Sequence, residues 1–120
     1  MAEARFANNV VMITGAAGGF GAAAARRFAA QGATLLLSDL DKPGLDRISS
    51  ELNDHAKIVS EPIDITSEKE VISHIEHGIS NFGKIDVAIN NAGIGQALNA
   101  LTDTSEADFD RIMKVNAKGV

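Results

Sequence analysis

The stretch Val10-Val11-Met12-Ile13-Thr14-Gly15-Ala16-Ala17-Gly18-Gly19-Phe20-Gly21 runs from an apolar strand into a glycine turn and on into an alanine-rich helix. Such a turn lets a pyrophosphate approach the backbone, because a Cβ there would hold phosphates away from the N–H groups of the helix's first turn. The helix dipole favours the same anion. Gly15, Gly19 and Gly21 fit T-G-x-x-x-G-x-G, while Gly15, Gly18 and Gly21 fit T-G-x-x-G-x-x-G, so the turn alone leaves two spacings open. Residues 22–25 are all alanine, small enough for the helix to lie close to both a sheet and a ligand, and Gly32 after Gln31 is a helix stop.

Beyond this unit, apolar runs and amphipathic segments alternate along the chain without a linker or a repeat, which predicts a parallel sheet covered by helices. The short apolar runs place strands at 10–14, 34–39, 57–63 and 86–90. Helices are expected at 19–31, at 42–53 with Asp41 as N-cap, and at 68–82. Ser67 and Glu70 form a capping box for the third helix, and Val71, Ile75, Ile79 and Phe82 mark its core face. A fourth helix opens at Ser105 and carries Phe109, Ile112, Met113 and Val120 inward. On that wheel Asn116 falls in the middle of the apolar arc. A buried amide needs partners, so either neighbouring backbone satisfies Asn116 or it belongs to a site.

The 120 residues allow one domain, and their composition narrows its chemistry. There is no cysteine, which rules out disulfides, thiolate metal sites and cysteine nucleophiles within this stretch. A net charge of −5, with Arg26-Arg27 the one adjacent basic pair, argues against a nucleic-acid partner. No apolar run reaches the length of a membrane span and residues 1–9 lack the apolar core of a signal peptide, so a soluble cytoplasmic protein is expected. His74 and His77 stand three apart, but no third ligand is near in sequence; they read as solvated surface histidines and no metal is expected.

Asp39 closes the second strand eighteen residues beyond Gly21, where a carboxylate can accept hydrogen bonds from adenosine ribose hydroxyls. That predicts NAD over NADP, since the extra phosphate would be repelled and the neighbours Ala16, Ala17 and Leu40 supply no positive charge. A purely capping role for Asp39 is the alternative, although Asp41 is better placed for it. Asn90-Asn91-Ala92-Gly93 ends the fourth strand at the carboxyl edge of the sheet, where doubly wound folds bind ligands, and by itself also reads as an ordinary turn.

Taken together, Thr14-Gly15-x-x-x-Gly19-x-Gly21, Asp64 after the third strand, Asn90-Asn91-Ala92-Gly93 and Asn116 within Val115-Asn116-Ala117-Lys118-Gly119 resemble the classical short-chain dehydrogenase/reductase family in order and spacing. The resemblance runs from Val10 to Val120, and the Asn-Asn-Ala-Gly element favours the Gly15, Gly19, Gly21 spacing. It implies a Rossmann-type, doubly wound α/β sheet with strand order 3-2-1-4, here limited to about four strands. It implies a cofactor site at Gly15, Gly19, Phe20, Gly21, Asp39, Leu40, Asp64, Ile65, Asn91, Ala92 and Gly93. Within it Asp64 would meet the adenine amino group, the Ile65 backbone would read the ring, and Asn91, Ala92 and Gly93 would contact the ribose. Asn90 would brace adjacent strands, and Asn116 would be the catalytic asparagine that helps hold a water in a proton relay.

The family's hydride chemistry also uses a serine and a Tyr-x-x-x-Lys helix, and this chain contains no tyrosine. The chain is thus expected to represent the NAD-binding half of an oxidoreductase acting on a small alcohol or carbonyl substrate in the full-length form, and to be inactive by itself. Two other readings are a catalytically silent NAD-binding module and an interaction partner of a full-length relative. The order 3-2-1-4 leaves the 86–90 strand at an edge, and with Leu98, Leu101 and the Phe109 face this predicts self-association.

Overall fold

The computed structural model describes residues 4–120; residues 1–3, part of the stretch read above for a leader, lie outside the described residues. Four parallel strands, β1 (Val10–Thr14), β2 (Thr34–Asp39), β3 (Ile58–Pro62) and β4 (Val87–Ile89), form one sheet in the order β3-β2-β1-β4. The helices α1 (Gly19–Ala30), α2 (Lys42–Leu52), α3 (Glu68–Phe82) and α4 (Glu106–Met113) make or follow the crossovers. This is the expected Rossmann-like topology. The outer strands are shorter than predicted by a residue at each end, and at β4 the reason is local: Asp86 turns its carboxylate back to accept from the Val10 N–H at 2.7 Å.

The core is one-sided. Val11, Ile13, Leu35 and Leu37 share one face of the sheet, and the alanine stripe Ala22, Ala25 and Ala29 of α1 lies on them with Leu45, Ile48 and Leu52 of α2. The small α1 residues let that helix sit low over the sheet, as their composition predicts. On the opposite face Leu36 is fully buried under Gly78 of α3; a Cβ on that glycine would come within 2.5 Å of the Leu36 side chain.

That close approach corrects the predicted face of α3. The buried residues are His74 and Gly78, while Val71, Ile75 and Phe82 are half-buried and Ile79 is 48% exposed. The contact line is turned roughly 75° around the helix from the apolar stripe, because the missing side chain at Gly78 sets where the helix touches down. His74 is accordingly not a surface residue; it is 2% exposed. Its Nδ1 lies 2.9 Å from Glu61 Oε1 on β3, and the exposed His77 places Nδ1 2.7 Å from Glu61 Oε2. Burial pushes the Glu61 carboxyl up, yet the hydrogen bonds to His74 and His77 together hold it below the ordinary glutamate value.

The fourth helix also departs from expectation. Ser105 caps it, accepting from the Asp108 N–H at 3.1 Å, but the α-helix gives way at Lys114 to a five-residue π turn, Lys114–Lys118. The wider turn shifts the 3.6-residue wheel only for the residues from Lys114 on, Asn116 and Val120 among them; Phe109 and Met113 precede it in the regular α-helix, where no strand or other helix among the described residues covers their face. Phe109, Met113 and Val120 are exposed, Ile112 is half-buried, and Asn116 is exposed instead of interior.

Candidate functional site

The carboxyl ends of the strands gather the predicted site residues, beginning with the glycine turn after β1. Gly19 has φ +56, a left-handed conformation that disfavours a side chain, and a Cβ on Gly21 would overlap the carbonyl oxygen of Gly15. Gly18 is extended, at φ −164, with open space where a Cβ would stand. The required glycines are therefore those of the T-G-x-x-x-G-x-G spacing.

The turn delivers a bare helix end. Asp41, Ser67 and Ser105 cap α2, α3 and α4 with side-chain acceptors, whereas α1 has Gly18 at its N-cap, no side-chain cap and no acidic residue in its first turn. Its first-turn N–H groups and dipole are left for an anion.

Three connections fix this turn against its neighbours. The Thr14 hydroxyl accepts from the backbone N–H of Asn91 at 3.1 Å and of Ala92 at 3.0 Å, which locks the end of β4 to the end of β1. The Asn91 side-chain amide donates to the carbonyls of Thr14 and Gly15, each at 3.2 Å. Bracing between strands, expected of Asn90, is thus done by the Asn91 side chain. On the other flank, Asp39 Oδ2 accepts from the Ala17 N–H at 3.0 Å and Oδ1 from the Asp41 N–H at 2.9 Å. The cap of α2 is Asp41, whose Oδ1 accepts from the Gly44 N–H at 3.0 Å.

Asp64 follows β3, and its Oδ1 accepts from both the hydroxyl (2.7 Å) and the N–H (2.9 Å) of Thr66. These bonds, chiefly the one from the hydroxyl, hold its carboxyl below the usual aspartate range, with Lys114 adding a smaller pull. Asn116 clamps Ile94 in both directions: Oδ1 accepts from the Ile94 N–H and Nδ2 donates to its carbonyl, both at 2.8 Å. The backbone partner foreseen for this amide is therefore Ile94.

Between these elements lies a cleft of about 200 Å³. Gly15, Asp39, Leu40, Asp64, Ile65, Ala92 and Gly93 all line it. Gly19, Phe20 and Gly21 stand outside that lining at the start of α1, with Phe20 89% exposed, and Asn91 and Asn116 buttress it from behind. Ser38, Ile63, Ile94 and Val115 also line the cleft and escaped the sequence reading. Each adjoins a residue that was singled out, and that adjacency was the available signal.

Comparison with known proteins agrees with this fold. The profile of a family described as short chain dehydrogenase matches residues 9–120. Meso-2,3-butanediol dehydrogenase of Serratia marcescens is 40% identical over 116 residues, covering 97% of this chain and 45% of that protein. The structure of a 3-ketoacyl-(acyl-carrier-protein) reductase from Brucella melitensis complexed with NADH superposes with a TM-score of 0.87 at 41% identity, over 95% of this chain and 46% of that one. An NAD+-bound xylitol dehydrogenase superposes with a TM-score of 0.92 at 33% identity, over 96% and 45% respectively. The chain spans less than half the length of these relatives.

Proposed function

The chain belongs to the short-chain dehydrogenase family, and from that premise we propose that it is the NAD-binding half of an oxidoreductase acting on a small alcohol or carbonyl compound. One observation carries the reading: the uncapped α1 N-terminus and the Asp39 carboxylate flank the same glycine turn, an anion site beside a hydroxyl acceptor. NAD, when bound, supplies hydride transfer. The residues of this chain bind and orient it: first-turn amides of α1 toward the diphosphate, Asp39 toward the adenosine ribose, Asp64 and the Ile65 backbone toward adenine, and Asn91, Ala92 and Gly93 toward a cofactor ribose.

Preference for NAD over NADP rests on charge. A 2′-phosphate would meet the Asp39 carboxylate, while Ala16 is buried, Ala17 is half-buried and the exposed Leu40 is neutral. Asn116 is assigned as the family's catalytic asparagine. Its grip on Ile94 suits it to shape the loop through which a substrate would enter.

These 120 residues hold no tyrosine, so we infer that they do not turn over a substrate by themselves. The same fact favours, as a second reading, an NAD-binding module without catalysis. Sequencing the reading frame past the codon for Val120 separates the two: a serine followed by a Tyr-x-x-x-Lys helix supports the enzyme, and an immediate stop codon supports the module. Self-association is supported by the edge position of β4 and by exposed Leu98, Leu101 and Phe109, and a purely monomeric sedimentation profile at high concentration would refute it. Among the described residues no helix is long and apolar enough to cross a membrane.

A further inference from the structure

The Asp39 carboxylate touches the glycine turn as well as facing the cleft. The turn is tied down at three points: the Ala16 N–H donates to the Ser38 carbonyl at 3.0 Å, the Asn91 amide donates to the Gly15 carbonyl at 3.2 Å, and the Ala17 N–H donates to Asp39 Oδ2 at 3.0 Å. The first tie is backbone to backbone and depends on no side chain. The third hangs on a side chain that ligand recognition also uses. Asp39 is itself steadied by the Asp41 N–H, and a Cβ on Gly44 at the start of α2 would stand 2.8 Å from that of Ala17, so the turn is pressed between α2 and the carboxylate. A carboxylate oxygen has lone pairs for two hydrogen bonds, which leaves each oxygen of Asp39 free to accept a ribose hydroxyl while keeping its backbone donor.

Resting on the NAD-binding reading above, we propose that Asp39 is also the positioning residue of the phosphate-binding turn: by holding the Ala17 N–H it sets the turn that carries the α1 N-terminus, independently of any ribose contact. Removing it leaves a partly buried N–H without an acceptor and frees the segment between Gly15 and Gly18. Loss of Asp39 then weakens the diphosphate end of the site along with the ribose end.

The test uses an analogue of NAD that lacks both adenosine ribose hydroxyls, the 2′,3′-dideoxy form, together with NAD, on the 120-residue chain. Asp39→Ala is expected to weaken the dideoxy analogue about tenfold, the scale of one hydrogen bond to a charged acceptor. Asp39→Asn, which keeps one amide oxygen for the Ala17 N–H, is expected to restore most of the dideoxy affinity without restoring that for NAD. Unchanged dideoxy affinity in Asp39→Ala, with NAD affinity reduced, overturns the proposal and leaves a ribose role only. Amide hydrogen exchange at Ala17 is the second readout: protection lost in Asp39→Ala supports the proposal, and protection kept overturns it. Failure of the unaltered chain to bind either dinucleotide counts against the NAD-binding reading, whereas the exchange result still decides the role of Asp39. Should Asp39→Ala not fold, Asp39→Leu, which fills the space but offers the Ala17 N–H no acceptor, carries both measurements with the same expected and overturning results.

Discussion

Replacing Thr14 with valine removes one hydroxyl and almost no volume, and the site's architecture makes that change costly. The Thr14 oxygen is the acceptor for two backbone N–H groups, Asn91 at 3.1 Å and Ala92 at 3.0 Å, in a partly buried position. Each N–H left unsatisfied costs about 1–3 kcal/mol, and some water reaches the site, so Thr14→Val is expected to destabilise by about 2–4 kcal/mol. At roughly 2 cal/mol/K of unfolding entropy per residue, a chain of 120 residues loses about 4 °C of Tm per kcal/mol, giving a fall of about 8–16 °C. Thr14→Ser keeps the oxygen and is expected to stay within about 1 kcal/mol of the parent. Thermal unfolding followed by far-ultraviolet circular dichroism measures both variants. A Tm for Thr14→Val within about 2 °C of the parent would refute the claim that this hydroxyl joins β4 to β1.

Gly21→Ala is expected to abolish dinucleotide binding, because its Cβ would collide with the Gly15 carbonyl, while Gly18→Ala leaves binding intact; titration of both variants checks the pair. Glu61 contributes stability when ionised: its folded pKa lies below the ordinary 4.5, so the contribution is complete above that pH and is lost as pH falls below it. Glu61→Gln should therefore flatten the acid limb of the urea midpoint against pH. Leu40→Arg places a guanidinium on an exposed position next to Asp39 and is expected to strengthen NADP relative to NAD by about tenfold, read from competition binding.

What the sequence disclosed follows how local each signal is. The strand, glycine turn and helix from Val10 to Ala30 are set by neighbours in sequence, and the caps at Asp41, Ser67 and Ser105 reach only three residues ahead. The strand order and seven of the cleft-lining residues came with the family resemblance that the strand-end motifs carry. The pairing of Glu61 with His74 and His77 was invisible because it joins β3 to α3, and nothing in the histidine spacing reveals a carboxylate arriving from the sheet. The α3 contact line was misread for a related reason. Periodicity finds apolar side chains, but the helix touches down at Gly78, a residue with none. The π turn at Lys114–Lys118 shifts the wheel for Asn116 and Val120, whereas Phe109 and Met113 lie in the regular helix before it and are exposed because periodicity finds an apolar face but not what covers it. The Asn-Asn-Ala-Gly element, through the family resemblance, already selects the Gly15, Gly19, Gly21 spacing; the backbone adds the physical reason, with Gly18 extended and Gly19 left-handed.

The central claim is that the cleft between the glycine turn, Asp39, Asp64 and Ala92-Gly93 binds NAD. The chain has no tryptophan and no tyrosine, so the emission of NADH can be followed without protein fluorescence beneath it. The measurement is a titration of the folded chain into NADH, with NAD and then NADP as competitors. A saturable rise fitting one site per chain, reversed by NAD at lower concentration than by NADP, is the predicted result. A chain that is folded by circular dichroism and gives no saturable signal would contradict it.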